Sequence, residues 1–388
     1  MITLLARWLI KNRNDVNDGE VRRKYGVLCG AAGIVLNLFL FAVKGMAGIL
    51  SGSIAIAADA FNNLSDAGSS LITLVGFRLA GQKPDPQHPF GHGRFEYISG
   101  LLVSMLILLM GFELGKSSVE KILHPEEVAF DWLTAVILTV SIAVKIYMAL
   151  YNRSVGKKIH SAAMLATMTD SLGDAVATAV VLAATAVGHF TGLNIDGYCG
   201  VAVALMIFIA GFRSARETIS PLLGQPPEPE FVKSIEETVT KYPDVAGIHD
   251  LIVNDYGPGR KIVSLHAEVP ANADIWEAHD MIDNIEQEIT ATLGCIAVIH
   301  MDPIKTDDET TLTMRKEIAE AVKSLHPGIT IHDFRAVPGP THTNVIFDAV
   351  LPFDSTLTEE EAREKICKLI SEKYDAVRAV IQIDRSYT

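Results

Sequence analysis

The chain has 388 residues, 49% of them hydrophobic, and a formal net charge of −13. That length exceeds one small domain, and so acidic a chain is a poor partner for nucleic acid. Charge is unevenly spread: 30 of the 46 acidic residues follow Gly224, against 15 of the 33 basic ones, so a front of net +2 is succeeded by a tail of net −15. Four cysteines, Cys29, Cys199, Cys295 and Cys367, show no paired spacing. They read as free thiols in a reducing compartment, neither disulfides nor a thiolate metal site.

The first 24 residues combine a short apolar stretch with charges and lack a basic start or a small-residue cleavage site. They are expected to be a cytoplasmic segment and no signal peptide. A membrane helix needs about 20 mostly apolar residues. Six segments qualify: Tyr25–Leu50, Ser53–Leu79, Tyr97–Leu114, Trp132–Tyr151, Ala162–Val187 and Gly197–Phe212. The second and fifth carry Asp, Asn, Ser and Thr and are expected to face the protein interior. Arg22, Arg23 and Lys24 precede the first span, Arg78, Lys83 and Arg94 surround the second loop, Arg153, Lys157 and Lys158 fill the fourth, and Arg213 and Arg216 follow the sixth. The other connections are SGS, an acidic stretch with Glu126, Glu127 and Asp131, and GHFTGLN. The positive-inside rule then predicts a multi-pass protein of the cell membrane with both ends in the cytoplasm.

The six-helix domain is expected over 25–220 and a proline-rich linker over 221–229. Beyond it lies an internal repeat of about 82 residues: IHDLIVNDYGPGRKIVSLHAEVP from Ile248 aligns with IHDFRAVPGPTHTNVIFDAVLP from Ile331, and AVIHMDP from Ala297 with AVIQIDR from Ala379. Each copy reads helix, strand, strand, helix, strand, and Thr358 with Glu361 predicts a capping box. The fold class is therefore a membrane all-α six-helix transporter domain followed by two tandem α+β ferredoxin-like cytoplasmic modules, 230–306 and 307–388.

Chemistry concentrates at three places. Asn62 and Asp66 in the second span, and Asp170 and Asp174 in the fifth, are i, i+4 pairs that share a helix face. A carboxylate at mid-bilayer costs about 2.5–3.5 kcal/mol, so three on two helices point to a cation site and away from incidental polarity. Asp59 lies near the same face, as a residue of the access path or of a polar network. The loop KPDPQHPFGHGRFE sets Asp85, His88 and His92 together, a carboxylate with two imidazoles suited to a metal. The first module holds His249, Asp250, His266, His279, His300 and Asp302, positions that strands of a small sheet can bring together. In the second module the equivalents include His332, Asp348, Gln382 and Asp384, and three of the four histidines are replaced, which argues against a matching site there.

These residues resemble the cation diffusion facilitator family of proton-coupled metal exporters, over about Lys24 to Pro303. The likeness rests on the six spans, the paired polar residues, FGHGR at Phe90–Arg94 and the IHD, LH and HMDP series. It implies a transport site at Asn62, Asp66, Asp170 and Asp174, a loop site at Asp85, His88 and His92, and cytoplasmic sites at His249, His266, His300 and Asp302, with His279 a further candidate. It also implies a homodimer in the lipid bilayer with no other protein partner. Zinc-type members carry a histidine where Asn62 or Asp170 stands here. An all-oxygen set suits a harder ion, and the pattern is similar to bacterial manganese exporters of the family. Manganese is therefore the expected cargo, with protons as counter-ion and zinc, ferrous iron, cobalt or cadmium as alternatives. Some members pair the basic residue of FGHGR with an acid after the sixth span, a place that Gly224 takes here. A membrane metal sensor without transport is the rival class. A channel would not couple to protons, and a metallohydrolase is disfavoured because no HExxH occurs.

Overall fold

Apolar segments can satisfy their backbone inside lipid only as helices or closed barrels, and here they are helices. The computed structural model describes residues 2–10, 16, 19–51, 54–124, 132–191, 195–304, 308–339, 341–352 and 355–385. The expected acidic stretch at Glu126, Glu127 and Asp131 lies outside them, as does the side chain of Asp59. The chain divides into two compact units, one of Met1–Gln225 with Asp255–Arg260, the other of Pro226–Asn254 with Lys261–Thr388.

The first unit contains a short helix α1 (Ile2–Leu9) and six long ones: α2 (Gly19–Ser51), α3 (Ile54–Ala80), α4 (Phe95–Leu123), α5 (Trp132–Lys158), α6 (Ala162–Thr191) and α7 (Asp196–Leu223). Among the described residues five of these are long and apolar enough to cross a membrane: α2, α4, α5, α6 and α7. α3 is not among them, although its 27 residues would extend about 40 Å, because Asn62, Asn63, Asp66 and Arg78 interrupt its apolar character. Large apolar side chains such as Phe39, Phe112, Leu150 and Phe212 are exposed on the outside of this unit. Polar contacts tie the helices within it. The Thr73 and Thr167 hydroxyls meet at 2.9 Å between α3 and α6, and Ser104 donates to Ser214 at 2.9 Å between α4 and α7.

Two features differ from the sequence reading. Arg22, expected only as a cytoplasmic charge flanking the first span, is buried at 9% side-chain exposure, 3.2 Å from Glu96 of α4, and it also donates to the Ile159 carbonyl. The linker expected from Pro221 starts later, because α7 runs through Pro221 to Leu223. So near the helix end the missing proline N–H forfeits only one bond. Gly224, at φ +90°, then supplies the left-handed cap.

The second unit repeats one order of elements. Helix α8 (Pro229–Val239), strands β1 (Gly247–Asp255) and β2 (Lys261–Pro270), helix α9 (Ile275–Leu293) and strand β3 (Ile296–Ile304) come first. Helix α10 (Glu309–Lys323), strands β4 (Thr330–Pro338) and β5 (Thr343–Leu351), helix α11 (Glu359–Lys373) and strand β6 (Val377–Arg385) follow. Each set forms a three-stranded sheet, β1-β2-β3 and β4-β5-β6, with β2–β3 and β5–β6 parallel. The helices bury one stripe each, Ala278, Ile282, Ile285 and Ile289 on α9 and Ala362, Ile366 and Ile370 on α11. Those spacings keep the apolar residues on one face. Asp274 caps α9 by accepting from the amides of Trp276 and Glu277, and the Thr358–Glu361 capping box opens α11. Arg315 of α10 holds the buried Glu268 of β2 at 3.0 Å and so ties the two sets together.

Candidate metal centres

In the first unit, Asp66 on α3 and Asp170 and Asp174 on α6 each offer an oxygen within 4.8 Å of the others. Asp66 and Asp170 are buried. The cluster includes a residue that the sequence reading missed. Lys145 of α5, itself 4% exposed, donates to Asp66 Oδ2 at 2.6 Å and to Asp174 Oδ2 at 2.7 Å. The signal for it was present: a lone lysine in the apolar run SIAVKIYM is an intramembrane ionisable group and needs a partner. Three carboxylates and one ammonium leave the cluster a formal charge of −2. A single dication neutralises that. Asp66 Oδ1 is buried with no hydrogen-bond partner, an acceptor free for another ligand. Asn62, one turn earlier on α3, is exposed, whereas its neighbour Asn63 is buried.

The loop residues after α3 also converge. Asp85, His88 and His92 offer ligand atoms within 4.8 Å of one another. His92 Nε2 stands 3.3 Å from Asp85 Oδ2 and His88 Nδ1 stands 3.5 Å from Asp85 Oδ1. The loop is shaped locally: Asp85 accepts from the amides of Gln87 and His88, and Gly91 takes a φ of +85° that a side chain would strain. Those amides, the His88 one above all, hold the Asp85 carboxyl below its usual range, so it stays ionised. The buried His92 leaves Nδ1 without a partner. Arg94 of the same motif donates to the Asp255 carbonyl at 2.8 Å and stacks over the Tyr256 ring, which gives it partners within this unit.

In the second unit β1, β2 and β3 bring three of the expected histidines onto the carboxylate of a fourth expected residue, Asp302. Asp302 Oδ2 lies 2.9 Å from His266 Nδ1 and 3.1 Å from His249 Nε2, and its Oδ1 lies 3.3 Å from His300 Nε2. Parallel pairing sets His266 beside His300 and Glu268 beside Asp302, which is why residues 34 or more apart in sequence share one patch. The ligand atoms of His249, His266 and Asp302 all lie within 4.8 Å of one another, close enough for one small dication to draw them in. His279 is not part of that group. It is exposed on α9 and lines a surface cavity with Asp283, Glu286 and His300.

Protonation at this patch follows from its neighbours. Burial opposes a charge on His249, but Asp250, Asp302 and Glu268 outweigh it and raise its pKa. Burial and the adjacent His249 lower that of His332. Burial, followed by Asp384, Asp333 and Asp250, pushes Asp348 up to about 6. Among the described residues no well-aligned hydrogen bond reaches the buried imidazole nitrogens of His249, although the carboxylates of Asp302 and Asp250 stand 3.1 and 3.5 Å from them. That is a costly state in a folded protein unless something else satisfies them, and a metal ion does so.

Residues 31–223 match the family described as the cation efflux transmembrane domain, and residues 227–304 match the cytoplasmic domain of cation efflux proteins. The chain is similar to the uncharacterized transporter MJ0449 of Methanocaldococcus jannaschii, with 33% identity over 248 residues, 64% of this chain and 87% of that protein. It is similar to the cation-efflux pump FieF of Klebsiella pneumoniae, with 26% identity over 287 residues, 73% of this chain and 95% of the pump. The same pump of Cronobacter sakazakii is 27% identical over 283 residues, 72% of this chain and 94% of its own length.

Proposed function

The chain belongs to the cation efflux family of divalent-cation transporters, and from that premise we propose that its cargo is manganese(II), exported from the cytoplasm in exchange for protons. It is a transporter and not an enzyme. The observation that carries the manganese reading is the donor set. Among the described residues the cluster of Asp66, Asp170 and Asp174 contains carboxylates and no imidazole. Oxygen donors suit manganese better than the histidine-bearing sets that favour zinc. Asn62, on the adjacent turn of α3, is the proposed fourth ligand.

Lys145 gives the exchange a physical basis. A manganese ion arriving from the cytoplasm displaces a proton from Asp170 and pushes the ammonium aside. When it leaves on the far side, Lys145 pairs with Asp66 and Asp174 again, and the remaining carboxylate, Asp170, takes up a proton there. In this reading α3 completes a six-span bundle with both chain ends in the cytoplasm. The second unit forms two tandem ferredoxin-like modules, of which the first pairs two chains into a homodimer. Asp85, His88 and His92 serve metal entry, and the imidazoles around Asp302 bind cytoplasmic metal as a regulator.

The test is manganese flux into proteoliposomes under an imposed pH gradient. The intact protein is expected to carry manganese and to dissipate the gradient, and Asp170→Ala to fall to the level of protein-free vesicles while eluting as a folded protein. Undiminished flux through that variant refutes the site. Metal binding without any flux favours the sensor, and competition among manganese, zinc, ferrous iron, cobalt and cadmium ranks the cargo.

A further inference from the structure

The two copies of the repeat meet through the same tripeptide. Ile248–Asp250 of β1 and Ile331–Asp333 of β4 align in sequence, and both aspartates hold the left-handed φ of +52°. In β4 the pairing with β5 shifts just there, between His332 and Arg335. Such an irregularity re-aims side chains out of the regular alternation. At that place the rings of His249 and His332 stack, with centroids 4.1 Å apart and planes at 23°.

One carboxylate stands before both rings. Asp250 Oδ2 is 3.5 Å from His249 Nδ1, and its Oδ1 is 3.6 Å from His332 Nε2. The three residues can offer ligand atoms within 4.8 Å of one another. Both imidazoles are only 7% exposed, and among the described residues none of their four ring nitrogens has a well-aligned hydrogen bond, the nearby carboxylates being charged neighbours. Buried polar atoms are almost always satisfied, and so a pair of orphaned imidazoles beside a carboxylate is a strong pointer to a missing electrophile. Asp348 lies directly opposite His332 across the β4–β5 pair and adds negative charge at the rim.

We propose that His332 of the second copy completes a divalent-cation site with His249 and Asp250 of the first, so that a metal ion clamps the two copies within one chain. This site differs from the group around Asp302, whose members all come from the first copy. His249 joins them: its Nε2 faces Asp302 and its Nδ1 faces Asp250, so with both sites filled it ligates as imidazolate, its ring N–H proton released to water. Two imidazoles and a carboxylate suit zinc or cobalt better than manganese. Of the four histidine positions of the first copy, the second keeps only His332, and that is the one at the junction. The inference rests on the proposed reading only in that the chain handles divalent metal.

The test uses the full-length protein with Asp170→Ala and Asp174→Ala, so that its outcome is independent of manganese flux. Equilibrium dialysis against zinc(II) at pH 7 counts bound ions. His332→Ala or His332→Gln is expected to abolish one zinc per chain or weaken it at least tenfold, and Asp250→Asn to affect the same ion. Unchanged zinc number and affinity in a His332 variant that elutes as the parent does overturns the proposal. A second measurement needs no change at His332: in the parent, zinc is expected to slow hydrogen exchange at the imidazole C2 position of both His249 and His332. Protection of His249 with none at His332 also overturns it.

Discussion

The helical unit and the strand unit handle charge in opposite ways. In the helical unit three carboxylates gather away from water, and a lysine from a third helix stands between two of them. At the strand-unit site a single carboxylate, Asp302, is surrounded by imidazoles, which are able to be neutral. The contrast follows from the medium. Inside a bilayer a set of carboxylates must be balanced by protons, an ammonium or a metal ion. Near water, histidine gives a tunable donor at little cost. On the proposed reading, one unit exchanges its counter-charge and the other holds an ion against a shaped surface.

Removing the internal counter-charge tests the contrast most severely. Lys145→Ala leaves Asp66 and Asp174 without their partner, and breaking a buried ion pair costs about 3–5 kcal/mol. The thermal midpoint in detergent with chelator is expected to fall by roughly 10 °C. Added manganese should restore much of it, since the ion supplies the lost charge. A variant as stable as the parent without metal would show that the ammonium is no counter-ion.

A smaller effect is expected where a charge is buried but its partner is part-exposed. Arg315→Ala strips the buried Glu268 of its guanidinium and is expected to cost about 1–3 kcal/mol, with manganese giving no rescue. Rescue by manganese would erase the distinction between the two units.

The smallest effect has a definite sign. Asp348 is pushed up to about 6, first by burial and then by neighbouring carboxylates, against an unfolded value of about 3.9. Its contribution to stability is fully present below the unfolded value and is lost as pH rises through about 6. Asp348→Asn should therefore stabilise the protein at pH 7.5 in chelator by less than about 1 kcal/mol after solvent screening, and the gain should shrink at pH 5. A stabilisation that grows at the lower pH would reverse this account.

Much of the arrangement is written locally. The i, i+4 aspartates of α6 lie on one face because helical geometry requires it, and both reach the carboxylate cluster. The helix stripes and the Thr358 cap follow from periodicity and short-range hydrogen bonding, and each is present where the sequence puts it. Asn62 shows the limit of the same rule. It shares a helical stripe with Asp66, yet it is exposed while Asp66 is buried, because burial depends on which neighbour covers each turn.

What the sequence determined by itself is the inventory: apolar helices, a carboxylate set within them, and a twice-written sheet module rich in histidine at its first copy. What only the tertiary structure decided is pairing. Lys145 lies 79 residues from Asp66, Arg22 lies 74 from Glu96, and His332 lies 83 from His249. Periodicity fixes which way a side chain leaves its own helix or strand. The group that it meets is set by how distant elements pack, and that choice is not encoded at any local spacing.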